Sequence, residues 1–172
     1  LNFLGNYQGY VQSDAFSGYE RLSEKKGITH MGCWAHARRN FVNVIKAKKK
    51  NRSKRIQPKS LADEALKFIG RLYQIEKQAK IKKLEPKQIY QLRQEKAKPV
   101  LEAFKTWLTE KQQITPPKGL LGKAINYTLN HWEKLIVYIE DGRLSPDNNA
   151  AENAIRPFVV GRKNWLFAGH PN

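Results

Sequence analysis

The chain has 172 residues, enough for one ordinary domain with a core, or one domain carrying an insertion. Its 40% apolar and 10% aromatic residues exclude compositional disorder, and its single cysteine, Cys33, excludes an intrachain disulfide and a four-cysteine zinc site. Against 15 Asp+Glu stand 32 Lys+Arg, a net charge of +17, which favours a polyanionic partner bound in a salt-sensitive way; the competing reading is a solvated basic surface.

No apolar run approaches the ~20 residues that span a bilayer, and no signal-peptide pattern opens the chain. The first residue is Leu1 rather than methionine, so a piece of a longer protein is expected.

To about residue 45 the pattern is α/β. Gly9-Tyr10-Val11-Gln12-Ser13-Asp14 has a β-like alternation ending on a carboxylate, and Phe16, Tyr19 and Leu22 follow at helical spacing. Gly27 breaks that pattern, Ile28 to Cys33 reads as a second strand, and Ala35 to Lys46 returns to helical periodicity with Phe41, Val44 and Ile45 as its stripe. From Lys46 to Lys59 there are eight Lys/Arg and no acid, a flexible connector or a fraying helix extension.

Ser60 to Gln113 is predicted helical. Ser60 with Asp63 resembles a capping box, with Asp in place of Glu or Gln. Leu61, Ala65, Phe68, Leu72, Ile75 and Ala79 then share one helix face. A second helix starts near Pro86, with Ile89 and Leu92 opening a stripe that Val100, Leu101, Phe104 and Leu108 continue beyond Pro99, where a kink or break is expected. The two stripes predict an antiparallel helical pair whose aromatic residues are core. After Pro116-Pro117, Leu121, Ile125, Leu129, Trp132 and Ile136 predict one further helix, ended by Asp141-Gly142.

The residues able to carry chemistry are few. Asp14 ends a strand, where open α/β sheets place their ligands, although a strand-end Asp is also a common turn or cap residue. Glu152 lies in the run Asp147-Asn148-Asn149-Ala150-Ala151-Glu152, followed by Arg156, Arg162, Lys163 and Trp165 with no further acid. Two converging carboxylates are the hard oxygen donors that divalent-metal phosphoryl transfer needs; each alone is a solvated acid. Asp147 is the reserve metal candidate, though its place before two asparagines suits a helix cap better. Arg38, Arg39, Arg156, Arg162 and Lys163 suit phosphate contacts, and Trp165 could stack on a base or pack in a terminal turn. Cys33 and His36 offer two zinc ligands without a second pair, so packing of Cys33 and Trp34 at a strand end is the stronger reading.

Four strings together resemble the transposases of the insertion-sequence 66 family: Gly9 to Asp14; Cys33-Trp34-Ala35-His36-Ala37-Arg38-Arg39; Asp147 to Glu152; and Ile155-Arg156-Pro157-Phe158 through Gly161-Arg162-Lys163-Asn164-Trp165-Leu166-Phe167. Asn153 and Ala15 depart from the pattern, where arginine and glycine are typical. The resemblance implies a partial ribonuclease-H-like fold, helix-rich α/β with an incomplete sheet and an α-helical insertion. Its parts would be a segment 1–45 carrying the second acid, a basic connector and insertion over 46–118, and a C-terminal segment 119–172 carrying the catalytic glutamate. It implies an Asp-Asp-Glu metal triad in which Asp14 is the second acid and Glu152 the glutamate. A pair of Mg²⁺ ions would be completed by an Asp upstream of Leu1, since residues 1–13 contain no acid. The implied reaction is DNA strand cleavage and strand transfer, with transposon ends and target DNA as partners and a homo-oligomer as the form a DNA complex could take. A bacterial cytoplasmic, nucleoid-associated location follows from the same likeness. The rival expectation is a catalytically dead, nucleic-acid-binding remnant.

Overall fold

A computed structural model describes residues 6–13, 26–50, 60–149 and 153–154. Strand β1 (Gly9–Gln12) pairs in parallel with β2 (Ile28–Met31), Gly9 opposite Ile28 and Gln12 opposite Met31. Parallel pairing requires a crossover between the strands, and both therefore end on the same side of the sheet. The expected helix at Phe16, Tyr19 and Leu22 lies outside the described residues.

Helix α1 (Trp34–Lys50) begins three residues after β2 and runs into the basic stretch, so the first lysines of that stretch are a helix extension. Its stripe buries Trp34, Ala37, Phe41 and Val44. Helix α2 (Leu61–Ile81) starts where the capping pattern placed it: the Asp63 carboxylate accepts both the backbone N–H and the hydroxyl of Ser60, at 2.8 and 2.7 Å. That satisfies a donor which the first helical turn leaves without an intrahelical partner.

Helix α3 (Pro86–Leu92) passes through a π-helical turn (Arg93–Ala97) into α4 (Lys98–Ile114). The expected break at Pro99 is absent. Proline lacks an N–H, and its ring crowds the carbonyl four residues back. The widened turn just upstream takes up that conflict, and the helix continues. Contacts of Glu76 with Arg93 and of Glu64 with Trp107 run in opposite sequence order, so α2 and α3–α4 are antiparallel, as expected.

The single helix expected from Leu121 to Ile136 is divided. Helix α5 (Leu120–Asn130) stops at His131, and α6 (Trp132–Ile136) passes into a 3₁₀ turn (Val137–Glu140). The apolar pattern is continuous across His131, but its two halves serve different partners: α5 packs on α1 and α4, and α6 on β2. The Asp141 carboxylate accepts the N–H of Arg143, closing the turn that ends this region.

One core cluster joins α1, α2, α4, α5 and α6. Phe104 sits at its centre, stacked on Phe68 with ring centroids 4.9 Å apart and within 6.2 Å of Trp34. Trp132 meets both Trp34 and Phe104 edge-on. The indole N–H of Trp34 donates to the Leu135 carbonyl at 2.9 Å, which satisfies its one polar atom inside the core.

Candidate functional site

The ends of β1 and β2 form a polar platform. Ser13, directly after β1, is buried and its hydroxyl lies 2.7 Å from Nε2 of His30 on β2. Burial, followed by the charges of Lys134 and His131, lowers the His30 pKa from its ordinary 6.5. The imidazole is thereby held neutral beside Ser13 near pH 7.

The segment Leu144–Asn149 is fastened across this platform. The Gln12 amide donates to the Ser145 carbonyl at 3.0 Å and to the Gly32 carbonyl at 3.2 Å. The backbone N–H of Trp34 donates to the Pro146 carbonyl at 2.9 Å. The buried Cys33 thiol donates to Oδ1 of Asn148 at 2.9 Å, and burial raises its pKa, so it is a packed thiol rather than a thiolate. From α2, the Tyr73 hydroxyl donates to Oδ2 of Asp147 at 2.8 Å, while Oδ1 of Asp147 accepts the N–H of Asn149 at 3.1 Å. The second of these is the contact a helix cap makes.

Arg93 holds the chain just before that segment. Its guanidinium is 2% exposed and forks onto Glu76 at 2.9 and 2.7 Å. It also donates to the carbonyls of Tyr138, Asp141 and Leu144 at 2.6 to 2.8 Å. Its plane lies over the Tyr138 ring, 5.0 Å from the centroid. Arg93 therefore couples the π-helical turn to the connection that leads towards Glu152.

Arg38 and Arg39, on the first turns of α1, are exposed. With Lys46, Gly70, Tyr73 and Asn149 they line an open groove of about 620 Å³. Arg38 and Arg39 thus stand beside the segment leading to Glu152. Asp14, Glu152, Arg156, Arg162, Lys163 and Trp165 lie outside the described residues. Gln12, two residues before Asp14, and Ser145, seven residues before Glu152, are hydrogen-bonded although 133 positions apart in sequence.

The donor set of two carboxylates is of the kind Mg²⁺ takes. Among the described residues, no group of three His, Cys, Asp or Glu side chains stands together. Asp147 has both oxygens engaged by protein donors. Sequence reasoning missed Gln12, Tyr73, Arg93 and Asn148 as parts of this site. Tyr73 carried a signal: a tyrosine at the margin of a buried helical stripe needs a partner for its hydroxyl.

The described site is thus a strand-end platform with arginines on the following helix and a late segment fastened to the same end. The chain belongs to the IS66 transposase family, whose model matches residues 1–172. It is similar to three uncharacterized proteins of Sinorhizobium fredii. It is 37% identical to y4hP over 96% of this chain and 31% of that protein. To y4jD it is 30% identical over 97% and 32%, and to y4qI 30% identical over 96% and 30%. The chain spans about a third of the length of these curated relatives. No solved structure matches it. No described helix is long and apolar enough to cross a membrane.

Proposed function

We propose that this chain is the part of a DDE-type transposase that carries the second acid and the glutamate of the metal triad, Asp14 and Glu152. The observation that supports it is the Gln12–Ser145 bond, seconded by Cys33–Asn148. These tie the strand leading into one acid to the segment leading into the other. Asp14 and Glu152 would hold Mg²⁺ together with a further acid from outside residues 1–172. Bound Mg²⁺ supplies charge stabilisation to the attacking and leaving oxygens of an in-line phosphoryl transfer. The partner is DNA, and the reaction is strand cleavage at transposon ends followed by strand transfer through the freed 3′-hydroxyl.

The chain's own contribution is positional. Arg38 and Arg39 bind phosphate oxygens in the groove beside Asn149, and Arg156, Arg162 and Lys163 add phosphate contacts while Trp165 stacks on an unpaired base. Arg93 and Tyr73 hold the approach to Glu152 in register with the strand ends. In the whole transposase, Glu152→Gln and Asp14→Asn are each expected to abolish cleavage and strand transfer of supplied transposon ends while DNA binding persists. Full activity in either variant removes that acid from the mechanism. Wild-type protein that binds DNA and cleaves none with any divalent ion would instead be the catalytically dead remnant.

A further inference from the structure

Beyond the Arg38/Arg39 groove lies a second one, of about 660 Å³, and Tyr73 and α2 line both. One wall of the second groove carries Lys77 and Lys80, neighbours along a face of α2, and Lys83 just past the helix end. The other wall is the segment Leu144–Asp147 that leads towards Glu152. We propose that this groove is a DNA-binding track, in which Lys77, Lys80 and Lys83 take backbone phosphates of the strand that flanks the reacting one. It rests on the DNA partner proposed above and extends it to a surface of the helical insertion.

Three observations carry it. First, the carboxylates lining the groove are already neutralised or occupied: Glu76 is held by the Arg93 fork, and Asp147 by Tyr73 and Asn149. Among the described residues no ion pair engages Lys77, Lys80 or Lys83, so three lysines line the groove against the one unpaired carboxylate charge of Asp147. Second, the two grooves share Tyr73 as a lining residue, so Lys46, Arg39 and Arg38 lie on one side of it and Lys77, Lys80 and Lys83 on the other. From Gly70 to Ile81 alone α2 runs about 16 Å at the helical rise per residue, the length of several nucleotides.

Third, Lys83 adopts a left-handed backbone with φ of 49°. It ends α2 in the paired turn where the N–H of Lys83 reaches Lys80 and that of Leu84 reaches Ala79. Glycine is the residue that this position favours. A lysine there accepts backbone strain, and strained positions cluster where a side chain is needed for function.

The test compares two triple variants of the full chain on a short duplex DNA of arbitrary sequence, over a range of salt. In Lys77→Gln/Lys80→Gln/Lys83→Gln the slope of log affinity against log salt should become shallower by about 0.9 for each phosphate no longer bound. The control, Lys96→Gln/Lys98→Gln/Lys118→Gln, removes the same charge from exposed positions outside both grooves and should keep the wild-type slope. The single variant Lys83→Gly should raise the thermal midpoint and still weaken DNA binding, a pairing that a merely structural lysine would not give. Wild-type binding with equal slopes in both triple variants overturns the groove alone. Tighter binding of a duplex RNA of equal length overturns the choice of DNA for it. A wild-type chain that binds no DNA overturns the proposed function, and the groove with it.

Discussion

Tyr73 of α2 donates its hydroxyl proton to the carboxylate of Asp147, 2.8 Å away, across 74 positions of sequence. Burial, with Asp147 as hydrogen-bond acceptor and neighbouring charge, raises the Tyr73 pKa far above 10. Because the folded-state pKa lies above the unfolded one, this contribution to stability is complete below pH 10 and declines as the pH rises further. In Tyr73→Phe the bond to a charged acceptor is lost, at a cost of about 1.5–3 kcal/mol. Urea denaturation checks the size, and faster amide exchange at Asn149 should accompany it. An unchanged denaturation midpoint would show that Tyr73 does not hold this segment.

Arg93 gives a sharper contrast. Replacing it with methionine leaves Glu76 without its partner, and removal of one member of a buried pair costs about 3–5 kcal/mol. The double variant Arg93→Met/Glu76→Gln should be less destabilised than Arg93→Met alone, because no unpaired charge is then left. The three carbonyls of Tyr138, Asp141 and Leu144 also lose their donor, so the double variant should remain below the wild type. Equal stability of the single and double variants would mean that the Glu76 charge is not what matters.

These two residues show where the sequence was readable and where it was not. The stripes of α1, α2 and α4 follow from helical periodicity, because burial of one face repeats at a fixed interval. The two short strands follow from alternation and from Gly27. Arg93 left no such trace. It sits in Arg93-Gln94-Glu95-Lys96, which reads as a solvated helix surface, and three of its partners are backbone carbonyls 45 to 51 positions away. A carbonyl has no residue identity, so sequence cannot announce it. The break at His131 was hidden for a related reason: the apolar spacing is the same whether the helix continues or turns to a new partner. The four family strings pointed to the strand ends and to the segment from Asp147. The bonds between those regions are long-range and needed coordinates.

Two glycines of the helical region should respond in opposite ways. A Cβ at Gly142 would run into the Pro86 backbone, its carbonyl oxygen first. Gly142→Ala should therefore destabilise by about 1–3 kcal/mol, the range for forced overpacking. At Gly70 in α2 nothing lies within 4 Å of an added Cβ. Gly70→Ala should stabilise by about 1 kcal/mol through helix propensity. Thermal unfolding of the two variants measures both, and a loss in each would contradict this difference in backbone packing.

His30 predicts a pH dependence. Its pKa is depressed in the folded state, so the unfolded chain takes up the proton first as the pH falls below 6.5. Stability from this group is complete above that value and is lost on acidification until the folded-state pKa is passed. His30→Gln should flatten the decline in denaturation midpoint between about pH 7 and pH 5.5, a window above most carboxylate titration. A wild-type curve that is already flat there would rule out a buried neutral imidazole.

The π-helical turn before Pro99 uses about one residue more than an α turn for the same rotation, so α4 keeps the phase that buries Leu101, Phe104 and Leu108. Deleting one residue between Arg93 and Ala97 would leave that phase nearly unchanged, yet it would set the Pro99 ring against a carbonyl one turn back. The helix tolerates a proline in mid-course because the chain carries one residue more than a regular helix would use.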